Sequence, residues 1–229
     1  MGFNVAVDGP AGAGKSTVAK AAAKAAGLIY VDTGAMYRAI GLYLLTEGVD
    51  IHDEPAVAES LPGITVSIAY EDGIQKVILN GEDVSGKIRT QEVGEAASVT
   101  SAYGAVREKL LDLQRDLAKK QDVIMDGRDI GTNILPDAQL KIFLTASVAV
   151  RAKRRYDELI EKGEQAVYAD VEREIEERDY RDSHREIAPL RQAEDAVVVD
   201  TSDLTVDQSV KAVLVLIFER RIEWEASLA

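Results

Sequence analysis

Short apolar runs alternate along the chain with longer stretches in which apolar residues recur at helical spacing. The short runs predict buried strands over 3–7, 28–31, 123–125, 140–144 and 196–199. The longer stretches predict helices over 16–26, 35–45, 106–117 and 205–221. Because parallel strands need crossover connections and are covered on both faces, this alternation predicts an α/β fold with a parallel five-stranded sheet flanked by helices.

One region replaces this alternation with a period of two. Residues 64–84 contain Asp72-Gly73 and Asn80-Gly81, dipeptides that favour tight hairpins. The region therefore predicts a small antiparallel β insert.

A second region, 151–189, is highly charged, contains Gly163 and carries few large apolar residues. A helical segment with so little apolar anchorage predicts a mobile lid. We expect a single domain over 1–229, with a core at about 1–60, 98–150 and 190–229, the insert at about 61–97 and the lid at about 151–189.

A glycine-rich segment, DGPAGAGKST, lies between the first predicted strand and the first predicted helix. It fits G-x-x-x-x-G-K-[ST], whose glycines let backbone N–H groups surround an anion at a helix N-terminus. We expect Lys15 to lie along the β- and γ-phosphates of a nucleotide and the Ser16 hydroxyl to take one Mg²⁺ position. A plain glycine-rich turn is the alternative, which the spacing and the context disfavour. The candidate ATP-binding residues here are Gly9, Pro10, Ala11, Gly12, Ala13, Gly14, Lys15, Ser16 and Thr17.

The segment DVIMDGRD supplies an acid at the end of an apolar strand. In folds with such a phosphate loop, this acid lies near the metal, so Asp126 is a candidate Mg²⁺ partner. By itself, Asp-Gly after a strand is equally consistent with a turn.

Composition and charge exclude several classes of protein. The chain has 40 acidic and 27 basic residues and a formal net charge of −13, which argues against a nucleic-acid-binding surface. It contains no cysteine, which excludes disulfide and zinc–thiolate sites. We find no export signal and no apolar run of ~18 residues. We therefore expect a cytoplasmic protein that binds neither nucleic acid nor membranes. Separately, we expect a monomer, although neither composition nor charge determines the oligomeric state.

Five segments, DGPAGAGKST, DTGAMYR, EDVSGKIRTQEV, DGRDIGT and RDYRDSHREIAPL, occur in this order. Together they resemble the bacterial cytidylate kinase family, from about Asn4 to the end of the chain. The resemblance implies a P-loop nucleoside monophosphate kinase that transfers the γ-phosphate of ATP to CMP and dCMP with Mg²⁺. In such a fold the antiparallel insert belongs to the nucleoside monophosphate-binding region.

The resemblance also implies roles for individual residues on the acceptor side. It assigns Ser98, Arg107 and Asp129 to the cytosine edge, where an acid, a guanidinium and a hydroxyl match the amino donor and the two acceptors. Ser98 and Arg107 are nine residues apart, on opposite sides of one straight helix, so both can face one base only if the helix breaks near Gly104.

The remaining candidates bind phosphate or ribose. Arg178, Asp182 and Arg185 share one helical stripe, which solvated ion pairs would also explain. The resemblance places Arg178 near the transferring phosphoryl group, Asp182 on the ribose and Arg185 on the CMP side. The further candidates are Thr33, Tyr37 and Arg38 for CMP, Arg128 near the phosphates and Arg154 on the ATP side, with Lys15, Arg128 and Arg178 as the catalytic residues.

Two other functions stay open at this point. The first is a kinase of the same fold for another acceptor, such as UMP, AMP or shikimate. The second is a non-catalytic interaction module gated by ATP, although that function leaves the acceptor-side arginines without a role.

Overall fold

The computed structural model describes residues 2–228, and it divides them into two compact units. The first unit comprises Gly2 and Val31–Gln121, and the second comprises Phe3–Tyr30 and the chain from Asp122 onward. The elements follow in chain order: β1 (Asn4–Asp8), α1 (Lys15–Ala26), β2 (Ile29–Asp32), α2 (Thr33–Thr46), α3 (Glu54–Ser60), β3 (Val66–Glu71), β4 (Ile74–Leu79), β5 (Glu82–Asp83), α4 (Gln91–Thr100), α5 (Gly104–Lys120), β6 (Val123–Gly127), β7 (Leu140–Thr145), α6 (Val148–Glu161), α7 (Tyr168–His184), β8 (Val197–Asp200) and α8 (Val206–Ser227).

The predicted parallel five-stranded sheet is confirmed, with the strand order β2-β6-β1-β7-β8. Its central strand, β1, lies in register with β6 and β7, so that Asp8 stands beside Gly127 and Phe143. The carboxyl ends of parallel strands meet at one edge of a sheet. The loops that follow β1 and β6 therefore begin next to each other, at the same edge of the sheet.

Helices α1 and α8 cover this sheet in the second unit. The alanine face of α1, with Ala19 and Ala22, is buried in one apolar cluster with the strand residue Val5 and with Val213 and Ile217 of α8. Small side chains let a helix approach a sheet closely, and each fully buried Val or Ile contributes about 1.5–3 kcal/mol. This packing fixes the amino end of α1 relative to the end of β1.

The charged region 151–189 forms α6 and α7, as its helical pattern predicts. Gly163, with φ +77°, follows the end of α6. The two helices pack through a small apolar cluster of Ala152, Leu159, Val171 and Ile175. Such limited burial is typical of a segment with low local stability.

The first unit contains the predicted antiparallel insert, a sheet with the order β3-β4-β5. Asp72-Gly73 and Asn80-Gly81 all have positive φ, as the hairpin signals require. The Asn80 side chain also accepts from the Thr65 N–H at 2.7 Å, which fixes the second turn to the start of the sheet.

Helices α2, α4 and α5 complete the first unit. The predicted break near Gly104 is confirmed, because α4 ends at Thr100 and α5 begins at Gly104. The short helix α3 was not predicted; Asp53 caps it by accepting from the Ala56 N–H, and Pro55 stands in its first turn. The predicted strands agree with the structure to within one residue at their starts, whereas α8 runs six residues past the predicted end.

No helix in the described part of the chain is long and apolar enough to cross a membrane.

Two glycines in packed helices of the first unit predict stability effects of opposite sign. A Cβ on Gly41 of α2 would lie 3.0 Å from the Ala97 nitrogen and 3.3 Å from the Val93 carbonyl oxygen, both backbone atoms of α4. Gly41→Ala should therefore lower the free energy of unfolding by about 1–3 kcal/mol. Gly94→Ala is the control, because a Cβ there meets nothing within 4 Å. It should raise that free energy by about 0.5–1 kcal/mol. Urea denaturation of both variants checks the signs, and equal effects would contradict the close packing of α2 on α4.

Candidate functional site

The loop between β1 and α1 has the backbone conformation of an anion cradle. Gly9, Gly12 and Gly14 all have positive φ. A Cβ on Gly9 would lie 2.0 Å from the Leu144 carbonyl oxygen, so that only glycine fits against β7. No side chain caps the amino end of α1 and no acid lies in its first turn. The backbone N–H groups and the positive helix end therefore remain available to an anion.

Lys15 is the first residue of α1, and its side chain is buried. Its Nζ donates a hydrogen bond to the Pro10 carbonyl oxygen at 2.8 Å, within the same loop. Burial lowers the pKa of Lys15, and the positive charge of Arg128 lowers it further. A bound anion would supply the counter-charge that stabilises the ammonium form.

Ser16 and Asp126 form a pair of oxygen donors at the start of α1 and the end of β6. The Ser16 hydroxyl donates to Asp126 Oδ2 at 2.7 Å, and the Tyr30 hydroxyl lies 3.3 Å from Asp126 Oδ1. Mg²⁺ prefers such oxygens and keeps waters or phosphate oxygens as its other ligands. Among residues 2–228 there is no cluster of three or more His, Cys, Asp or Glu residues suited to a metal ion. The Ser16 hydroxyl and the Asp126 carboxylate thus offer two oxygens of the kind that Mg²⁺ accepts.

Asp8 joins the loop after β1 to the loop after β6. Its carboxylate accepts from the N–H groups of Ile130 and Gly131, each at 2.7 Å. Burial raises the pKa of Asp8 to about 6, although these two N–H groups oppose the shift. Sequence analysis gave Asp8 no site role, and no local signal identifies its partners more than 120 residues away.

The residues just before these N–H groups are Arg128 and Asp129, and both contact the α7 region. Arg128 Nε lies 2.9 Å from Asp182 Oδ2, and Arg185 Nη2 lies 3.3 Å from Asp129 Oδ1. Burial by itself raises the pKa of Asp182, but the charges of Arg128, Arg178 and Arg185 outweigh it and hold the pKa below its usual range.

Arg178 belongs to the same electrostatic cluster, because its charge also lowers the pKa of Lys15. The second unit thus brings together the predicted catalytic residues Lys15, Arg128 and Arg178.

Arg154 lies at the end of the glycine-rich loop. Its guanidinium donates to the Thr201 hydroxyl at 3.2 Å and to the Thr201 carbonyl oxygen at 2.7 Å. A Cβ on Gly14 would stand 4.0 Å from Arg154 Nη1. Thr201, which sequence analysis missed, also donates to the Ala13 carbonyl oxygen at 3.2 Å.

In the first unit, Thr33 and Arg38 lie on α2, whose amino end is held by side chains around Asp32. Asp32 caps the helix by accepting from the Ala35 N–H at 2.9 Å. The Gln75 side-chain amide of β4 accepts from the Asp32 N–H at 2.7 Å and donates to the Asp32 carbonyl oxygen at 3.1 Å. Sequence analysis missed Gln75, which attaches the insert to this helix end.

Tyr37, Ser98 and Arg107 are the other candidates in the first unit. The Arg107 guanidinium lies 5.8 Å from the centre of the Tyr37 ring. The Ser98 hydroxyl is buried and makes no hydrogen bond within the described residues. A buried hydroxyl without a protein partner is costly and suits a ligand that supplies the missing group.

Comparison with known proteins identifies a family. A family model described as cytidylate kinase matches residues 5–219. The cytidylate kinase of Lactobacillus johnsonii is 54% identical over 219 residues, which cover 96% of this chain and 95% of that protein. The cytidylate kinase of Caldicellulosiruptor saccharolyticus is 51% identical, with 95% of this chain and 96% of that protein covered.

Solved structures agree on the fold. A gluconokinase from Sinorhizobium meliloti 1021 has a TM-score of 0.50 at 15% identity, covering 98% of this chain and 99% of that one. An uncharacterized protein from Eubacterium ventriosum has a TM-score of 0.52 at 12% identity, covering 94% and 98%.

The raised pKa of Asp8 predicts that its contribution to the free energy of unfolding depends on pH. The pKa is about 6 in the folded protein and 3.8 in an unperturbed group, so the folded state binds the proton more tightly. Ionised Asp8 is therefore destabilising above pH 6, and the penalty is relieved as the pH falls towards 3.8. The free energy of unfolding of the wild type, minus that of Asp8→Asn, should rise by about 1 kcal/mol between about pH 7 and about pH 5.

Urea denaturation of both proteins at the two pH values measures this difference. Titrations shared by both proteins cancel in the subtraction. A difference that stays constant or falls towards pH 5 would contradict the assignment.

Proposed function

Since the chain belongs to the cytidylate kinase family and is a phosphotransferase that acts on CMP, we propose that it transfers the γ-phosphate of ATP to CMP and dCMP with Mg²⁺ bound. The observation that carries the donor side is the glycine-rich loop with a buried lysine at its helix end. The backbone N–H groups of residues 9–17, except Pro10, which has none, and the Lys15 ammonium bind the β- and γ-phosphates. Arg154, bonded to Thr201 beside this loop, lines the ATP side.

Ser16 and Asp126 would hold Mg²⁺, Ser16 directly and Asp126 directly or through water. The ion, when bound, neutralises charge on the phosphate oxygens. The hydrogen bond between the two side chains supports this assignment, because it keeps both oxygens together at the mouth of the loop.

On the acceptor side, we propose that the residues assigned by resemblance to the family contact CMP. Asp129 accepts from the cytosine amino group, while Arg107 and the Ser98 hydroxyl donate to its acceptor atoms. The buried Ser98 hydroxyl, which no described residue satisfies, supports this role. Thymine and uracil lack the amino donor, so the same set discriminates against them.

Ribose and monophosphate bind to the remaining candidates. Asp182 accepts from the ribose, and Arg38 and Arg185 bind the acceptor phosphate, for which a guanidinium has the matching fork of donors. Thr33 and Tyr37 line the nucleoside.

Transfer requires alignment of the two nucleotides and stabilisation of charge on the transferring group, but no covalent intermediate. Lys15, Arg128 and Arg178 supply positive charge to its oxygens. No general base is needed, because the CMP phosphate oxygen is already an anion. Closure of the helical lid over 151–189 excludes water, which would otherwise accept the phosphoryl group.

We extend the proposal to the oligomeric state of the protein and to its cellular compartment. We propose that the protein is a monomer. The chain has no cysteine to form disulfides, and that absence is compatible with the cytoplasm.

An ADP-release assay with ATP and each of CMP, dCMP, UMP, AMP and shikimate tests the acceptor. We expect turnover with CMP and dCMP only, because the other acceptors lack the cytosine combination of an amino donor with the N3 and O2 acceptors. Release of ADP with shikimate or AMP instead would establish a different kinase. Acceptor-independent nucleotide binding without ADP release would support the interaction module.

Replacement of Asp129 tests the cytosine edge. Asp129→Ala should lower kcat/KM for CMP by about 100-fold, because a charge-assisted contact to the base is lost, and it should leave ATP affinity within about twofold. Asp137→Ala is the control, since Asp137 is exposed and follows in the same connection. Isothermal titration with ATP, steady-state kinetics and a melting curve separate the effects. Equal losses in ATP and CMP binding, with the fold intact, would remove Asp129 from the acceptor site.

A further inference from the structure

Arg151 is a buried arginine that none of the roles above uses. It lies in the first turn of α6 and is 3% exposed, which is rare for an arginine. Its three donor nitrogens each bond to a different segment of the second unit. Nε donates to the Ala146 carbonyl oxygen at 2.9 Å, Nη1 to the Ala11 carbonyl oxygen at 3.1 Å, and Nη2 to Asp179 Oδ2 at 2.6 Å.

The bond to Ala11 fixes one peptide of the phosphate loop. The Ala11 carbonyl and the Gly12 N–H belong to one planar trans peptide, so they point in opposite directions. A carbonyl held on the Arg151 side therefore turns the Gly12 N–H away from Arg151. Close contact reinforces this geometry, because a Cβ on Gly12 would lie 3.2 Å from the Arg151 Cβ.

The bond to Asp179 fixes α7. Asp179 directly follows Arg178 and precedes Asp182 by three residues, so it lies in the turn of helix that carries both. The other carboxylate oxygen, Oδ1, is buried and makes no hydrogen bond within the described residues. Asp179 is thus held through one oxygen only, and the Arg151 guanidinium is the group that holds it.

A planar guanidinium with fixed donor directions cannot satisfy Ala11 and Asp179 independently. If the loop peptide moves, the guanidinium must move with the Ala11 carbonyl, and its bond to Asp179 is altered. If α7 moves, the guanidinium must move with Asp179, and its bond to Ala11 is altered. A lysine at this position has a single ammonium group and lacks the forked set of donors that bonds to both partners.

We propose that Arg151 is a positioning residue that couples the phosphate loop to α7. Through its simultaneous bonds to the Ala11 carbonyl and the Asp179 carboxylate, binding of the ATP phosphates to the loop orders α7 and brings Arg178 to the transferring group. This inference rests on the proposed function, because it takes the loop as the donor site and Arg178 as a catalytic residue.

Hydrogen–deuterium exchange with ATP alone, without CMP, tests the coupling in the full chain. In the wild type, saturating ATP should slow amide exchange in peptides covering 9–17 and also in those covering 168–184, each by about tenfold. In Asp179→Asn and in Arg151→Lys, ATP should still slow exchange in 9–17 but no longer in 168–184. Both variants should also lose about tenfold to a hundredfold in kcat.

Glu158→Gln is the matched control. It breaks the exposed Arg155–Glu158 pair on the same helix, 3.0 Å apart, and touches neither the loop nor α7. Its exchange pattern and its kcat should equal those of the wild type. If the role of Arg151 were merely structural, its replacement would lower the melting temperature, but ATP would still slow exchange in both 9–17 and 168–184.

The outcomes are distinct. The coupling is overturned if ATP slows exchange in 168–184 of both variants as it does in the wild type. It is also overturned if saturating ATP slows exchange in neither segment of the variants, or if ATP slows exchange only in 9–17 of the wild type. If the wild type shows no slowing in 9–17, the loop is not the donor site, and the proposed function fails before the coupling is tested. Should Arg151→Lys not fold, Asp179→Asn alone decides.

Discussion

The two hydrogen bonds that Asp8 accepts from Ile130 and Gly131 join the loop after β1 to the loop after β6, and the proposed donor site depends on this junction. A buried carboxylate is expensive, as its raised pKa indicates. The sheet nevertheless holds this carboxylate in place, because its parallel register puts Asp8 beside Gly127. The carboxylate then fixes the backbone of the second loop, where Arg128 and Asp129 project.

Pairing of opposite charges organises the second unit, although the chain as a whole is strongly acidic. Three buried or half-buried arginines are each matched by an aspartate: Arg128 with Asp182, Arg151 with Asp179, and Arg185 with Asp129. Buried ion pairs contribute little net stability, because desolvation offsets the attraction. Their value here lies in geometry, since each pair fixes the direction in which its guanidinium group points.

In the first unit, helix packing positions the candidate nucleoside contacts. The interruption between α4 and α5 removes the constraint that one straight helix would impose on Ser98 and Arg107. Close packing of Gly41 against α4 fixes α2, and the Gln75 amide fixes the amino end of α2 to the insert. The candidate nucleoside contacts therefore stand on packed helices rather than on loops, which favours accurate positioning.

Local rules determined much of this protein from the sequence alone. Apolar runs of strand length, the glycine and lysine spacing of residues 9–16, and the Asp-Gly and Asn-Gly turns each depend on neighbours a few residues apart, so they can be read directly. The helix break at Gly104 needed more than a local rule, because it combined the angular spacing of Ser98 and Arg107 with their assignment to one base by resemblance to the family. Resemblance to a family supplied the acceptor residues, which spacing by itself left ambiguous.

Tertiary structure alone decided which buried polar groups meet. Asp8 and Gly131, Arg151 and Ala11, and Thr201 and Ala13 are separated by more than 120 residues, and the partner in each pair is a backbone atom with no sequence signature. Their pairing depends on strand register and on the close approach of loops at one edge of the sheet. A one-dimensional pattern records neither, so these positioning contacts emerge only when the chain is folded.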